Sequence, residues 1–98
     1  MKARSPFKVV RDGNEVGEWI LEFQGREVGR IIKNIDDSDA RGTGDIVTLG
    51  FMVIIDADSS HIDIDADYGA ANVRLAFRNA KEFAFEHLAK LLAEGVEL

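Results

Sequence analysis

The chain has 98 residues, no cysteine and a formal net charge of -6, with 46% hydrophobic and 31% charged residues. That is the size and balance of one folded domain, 1–98, and excludes a disordered segment, a disulfide scaffold and thiolate or zinc-thiolate chemistry. The basic opening Met1-Lys2-Ala3-Arg4-Ser5-Pro6 leads into no apolar stretch, and no apolar run approaches the ~18 residues of a membrane span, so the expected setting is cytoplasmic, with no membrane contact.

In chain order, Phe7-Lys8-Val9-Val10-Arg11 is a short β-favouring run that stops at the turn signal Asp12-Gly13-Asn14. Trp19-Ile20-Leu21-Glu22-Phe23 places Trp19, Leu21 and Phe23 on one face, and Gln24-Gly25 turns the chain into Arg26 to Ile32 as a hairpin. Alternation in this second strand breaks at Gly29, where a β-bulge would bring Ile31 or Ile32 into phase. Asp36 to Asp45 is rich in Asp, Ser and Gly and is predicted as the longest loop.

From Ile46 the alternation permits a test of register, because residues opposite each other in a pair share a face. A turn at Ser59-Ser60 sets Ala57 against Ile62, Ile55 against Ile64, Val53 against Ala66 and Phe51 against Tyr68. A second turn over Gly69 to Asn72 sets Ala66 against Leu75 and Ile64 against Phe77 in a sixth strand, with Asp67 beside Arg74 and Asp63 beside Arg78 on the other face. A helix from Ala70 also fits, since Val73, Phe77, Ala80 and Ala84 follow a 3.6-residue period. The Asn79 and Glu82 capping-box spacing favours a start near Ala80, with Gly95 as the stop after Glu94. Ala84, Phe85, Leu88, Leu91 and Leu92 form its apolar arc, and Phe83 falls on the polar side. The fold expected is therefore α+β: a curled antiparallel β-meander of about six strands, or a partly open barrel, with one C-terminal amphipathic helix packed on its apolar face.

Charge is distributed unevenly. Between Asp36 and Asp67 lie nine aspartates and a single base, Arg41. Phosphate recognition needs clustered Lys and Arg, so direct nucleic-acid binding is disfavoured and a basic partner is favoured. The loop from Asp37 has aspartates at the first and third positions of a calcium loop and Gly42 at the sixth. Arg41 occupies the fifth position, where an oxygen ligand is required, and Thr48 the twelfth, where a bidentate Glu is required. Gly42-Thr43-Gly44 is too short to cradle phosphate, and no Lys-Ser/Thr pair follows it. No cofactor motif is present.

Asp56, Asp58, Asp63, Asp65 and Asp67 are expected on one sheet face, with Asp56 opposite Asp63 and His61 at the hairpin tip. Three readings compete: a solvated face offset by Arg74 and Arg78, a surface for a basic macromolecule that imitates a nucleic-acid backbone, and a divalent-cation site at Asp56 and Asp63. His61 lacks an evident nucleophile beside it, because Ser59 and Ser60 read as turn residues, so no catalytic residue is assigned. His87 at the edge of the helix's arc reads as a partly buried structural histidine. Phe83 breaks its element's pattern and is either a cover for the sheet edge or an anchor at a partner or homodimer interface. Trp19 reads as core. The leading expectation is a non-enzymatic macromolecular-binding or inhibitory accessory protein, of the general make-up of small acidic bacterial or phage proteins. It would use Asp56, Asp58, Asp63, Asp65, Asp67, His61 and Phe83 with the loop residues Asp36, Asp37 and Asp39. A small-ligand or divalent-metal-binding domain is the alternative.

Overall fold

The computed structural model describes residues 5–36, 47–67 and 69–98. Within them the alternating segments become strands β1 (Phe7–Arg11), β2 (Glu18–Phe23), β3 (Arg26–Asp36), β4 (Val47–Ile55) and β5 (Ser60–Asp65), followed by helix α1 (Ala70–Ala93). The strands pair antiparallel in chain order as an open sheet whose edges are β1 and β5. The architecture is the expected α+β meander with its helix on one face, but with five strands instead of six. Asp37 and Asp39 lie outside the described residues, and Asp36 ends β3 opposite Val47.

The β2–β3 hairpin turns at Gln24 and Gly25, whose φ values of 53° and 76° match the right-handed strand twist. At the expected place, Leu21 pairs Gly29 while Glu22 pairs Glu27, so Val28 is the extra, bulged residue. The bulge lets Val28 and Ile31 both reach the core, leaving Ile32 on the opposite face. Gly29 is required here, because a Cβ would collide with the Ile54 carbonyl on β4.

The β4–β5 register differs from the sequence expectation. Residues 56–59 form the turn, so Ile55 pairs Ser60, Val53 pairs Ile62 and Phe51 pairs Ile64. Two local bonds fix this longer turn: the Asp56 amide donates to the Val28 carbonyl on β3, and the Ser60 amide donates to the Asp58 carboxylate. The displacement is an even number of residues, which is why each apolar side chain keeps its face although every partner changes. Asp63 now stands opposite Met52, and His61 lies within β5 opposite Ile54 instead of at the tip. Ile55 is buried as expected, whereas Ile64 and Phe77 are only half-buried.

Residues 73–77 belong to α1, not to a sixth strand. Two Ala residues begin the helix after Gly69, and Ala76, Ala80, Ala84, Leu88 and Leu91 are buried at three- or four-residue intervals. Starting at Ala70 adds the burial of Ala76 and the partial burial of Val73 and Phe77, each of these two contributing a fraction of the about 1.5–3 kcal/mol of a fully buried large side chain, against about 1 kcal/mol for an Asn cap. The longer stripe wins. Asn79 is consequently an exposed mid-helix residue, Arg78 pairs with Glu82 one turn on at 3.4 Å, and the Asp67–Arg74 and Asp63–Arg78 cross-strand pairs do not exist. The helix stops as expected at Gly95 (φ 83°), where Gly95 and Val96 donate to the Leu92 and Leu91 carbonyls.

Helix α1 packs chiefly on β4 and then on β5. Its alanines let the backbones approach closely, and the core between the layers contains Leu21, Ile31, Phe51, Val53, Ile55 and Leu88, all nearly inaccessible to solvent.

Candidate functional site

Because side chains alternate along strands, everything not aimed at α1 emerges on the opposite face of the sheet, which no described element covers. Two cross-strand rows define that open face. One runs Val10, Ile20, Arg30, Ile54, His61, and the other runs Glu18, Ile32, Met52, Asp63. Ile20, Ile32, Met52 and Ile54 are partly exposed and Val10 is 40% exposed, so an apolar strip, interrupted by Arg30 between Ile20 and Ile54, crosses the sheet without a partner among the described residues.

Two acidic groups accompany the strip. One is centred within the strip itself, where Arg30 is held by Asp12 at 2.9 Å, Glu27 at 3.1 Å and Glu18 at 3.3 Å. The bonds that Arg30 donates to Glu27 and Asp12 keep the guanidinium protonated throughout. Asp12 is lowered from the usual carboxylate range first by the Asn14 amide and then by Arg30, with partial desolvation opposing. Three carboxylates around one base leave this cluster anionic. In the other, Asp63 and Asp65 emerge from β5 beside His61, and Asp56 joins Met52, Ile54 and His61 in a shallow groove of about 430 Å³. Charges on an edge strand also discourage pairing with another sheet edge, a role that requires no ligand.

The structure thus keeps Asp63 and Asp65 on one face, as expected, brings Asp56 and His61 to the same open side by a different register, and separates Asp58 from them. Asp58 turns toward the helix and meets His87 Nε2 at 2.7 Å. The Ser60 hydroxyl above all, then His87 and the Ser60 amide, hold the Asp58 carboxyl at about 2 against the opposing effect of burial. Phe83 is half-buried against the core, its ring stacked on His87 with centroids 6.1 Å apart. This set fastens α1 to the β4–β5 turn. It is not a nucleophile relay, because Ser60 and His87 both bond to the carboxylate, whereas a relay requires the hydroxyl on the imidazole. Asp67 is exposed in the β5–α1 connection.

Sequence reasoning missed a second feature, on the helix side. Where the first turns of α1 leave the sheet, Trp19, Phe51, Phe77 and Val73 enclose an open cleft of about 360 Å³ with Lys33 and Arg74 also lining it. The three rings touch, with centroid separations of 4.7 Å for Trp19–Phe77, 5.2 Å for Phe51–Phe77 and 5.9 Å for Trp19–Phe51. A strand over residues 73–77 put Arg74 on the wrong side of the sheet. The continuing 3.6-residue period from Val73 was the signal that places it here.

Among the described residues no three His, Asp or Glu side chains converge to hold a metal ion, and no helix is long and apolar enough to cross a membrane. No protein family, no curated protein and no solved structure matches this chain.

Proposed function

We propose that this chain is a non-enzymatic binding or inhibitory accessory protein of the cytoplasm that takes a basic protein partner on the open face of its sheet. The observation that carries this reading is the apolar strip that no described element covers, interrupted by Arg30 with its three carboxylates and bordered on β5 by a second carboxylate group. An apolar strip alone fits any hydrophobic surface, and carboxylates alone suit solubility. Together they complement an amphipathic element, such as a helix, whose apolar ridge is accompanied by Lys and Arg. Isoleucine and methionine side chains supply burial, while the charges accelerate encounter and select the partner's sign. The role proposed for Asp58 and Phe83 changes accordingly: they hold the helix in place and do not touch the partner. Asp56, His61, Asp63 and Asp65 form one flank.

The test is affinity capture from source lysate with the wild-type chain, an Asp56→Asn/Asp63→Asn/Asp65→Asn variant and an Ile54→Lys variant, each verified as folded by circular dichroism. A basic protein retained by wild type, released by raised salt and lost with both variants supports the reading. The salt arm follows from screening of exposed charges over about 8–10 Å. Equal retention of the same proteins by all three chains refutes it.

A further inference from the structure

We propose that the cleft between β2, β3, β4 and the start of α1 is a second binding site, for a small flat apolar acid: an aromatic body carrying one carboxylate. It lies on the helix side of the sheet and is independent of the open face. Three observations point to this chemistry. Trp19 and Phe77, partly exposed and backed by the buried Phe51, present an aromatic wall, on which a planar ring stacks or packs edge-on at the same separations the rings already adopt with one another. The volume of about 360 Å³ falls within the range of about 300–1,000 Å³ usual for small-molecule sites. The polar residues lining it are both cationic, Lys33 and Arg74, in a chain whose net charge is -6.

These bases are placed for a ligand. Lys33 Nζ stands 6.0 Å from the Trp19 ring centroid, and no carboxylate among the described residues is paired with Lys33 or with Arg74. By contrast, Arg30 and Arg78 both hold acids of their own. Arg74 offers a planar fork that matches a carboxylate, and Lys33 a point charge beside it. A neutral aromatic would use the wall alone, whereas an acid uses the wall and both bases. The site should therefore discriminate by charge in the sense opposite to the open face.

The experiment titrates isotope-labelled full-length protein with naphthoate and, separately, with its neutral isostere naphthamide. The readout is the indole Nε1–H resonance of Trp19, the chain's one tryptophan, together with the backbone amides. Expected are saturable shifts at Trp19, Lys33, Phe51 and Phe77 with naphthoate, and affinity about tenfold weaker for naphthamide, as loss of a charge-assisted bond implies. Lys33→Gln and Arg74→Gln, whose spectra otherwise superimpose on wild type, should each bring naphthoate down toward naphthamide without changing naphthamide. Equal binding of the two compounds overturns the anion assignment. Shifts confined to Ile20, Ile32, Met52 and Ile54, or no saturable shift at Trp19, overturn the site.

Discussion

The two faces of the sheet are built from the same strands with the same alternation, yet they have opposite physical characters. On β4, Phe51, Val53 and Ile55 are sealed beneath α1, while their neighbours Met52 and Ile54 stand partly in solvent. Both sets are large and apolar. On the covered face that apolarity is consumed by packing against the helix, and on the open face no described element packs against it. Near-inaccessible residues report what holds the fold together, and partly exposed apolar residues bordered by charge report what the fold presents.

The largest expected effect sharpens this contrast within one strand. Phe51→Ala removes a ring in contact with Trp19 and Phe77 and should cost about 3–5 kcal/mol, whereas Met52→Ala next to it should cost less than about 1.5 kcal/mol because no helix closes over it. Urea unfolding of the two variants measures the difference. Equal losses would show that the open face is as much core as the covered one.

Next in size is the backbone that both faces share. Gly29→Ala places a Cβ against the Ile54 carbonyl and 3.1 Å from Leu21 Cδ1, and should destabilise by about 1–3 kcal/mol as an overpacking change. A neutral outcome in thermal unfolding would mean that β3 and β4 separate without cost. That would undermine the tight bulge that sorts Ile31 from Ile32.

A smaller effect tests how the helix is tied to the covered face. The folded Asp58 carboxyl titrates at about 2, below the ~3.9 of an unfolded aspartate. Its depressed value means that the stabilisation is complete above about pH 4 and is lost as pH falls through about 2. Asp58→Asn should lower Tm at neutral pH, with the two melting curves drawing together as pH drops across that window. A deficit that stays constant to about pH 2 would assign the loss to packing instead of charge.

The smallest prediction reverses sign relative to the sequence expectation. As an N-cap, Asn79 would lose about 0.5–2 kcal/mol on substitution by Ala. As an exposed residue inside α1 it should gain up to about 0.7 kcal/mol, because Ala is the better helix former. Denaturant midpoints decide between these outcomes.

Which faces the residues occupy was legible in the sequence. The period of two along β2 and β4, the turn at Gln24-Gly25, the bulge near Gly29 and the Gly95 stop are all local properties, fixed by side-chain direction and backbone sterics within a few residues. So was the common face of Asp63 and Asp65, which depends on alternation and not on exact partners, whereas Asp56 in the turn and His61 in β5, expected opposite Asp63 and at the hairpin tip, took their places from the longer turn. Residues 73–77 were ambiguous because Val73 and Phe77, four apart, satisfy a strand's even spacing and a helix's single turn alike. Only the sheet underneath, which buries Ala76 and Ala80 along one stripe, decided for the helix. The β4–β5 register was likewise undetermined, since any even shift preserves the faces; bonds from Asp56 to Val28 and from Ser60 to Asp58 selected one. The Asp58–His87 clasp and the Trp19–Phe51–Phe77 cleft follow from those two choices. Each joins residues far apart in the chain, so their geometry exists only after the helix has been laid on the sheet.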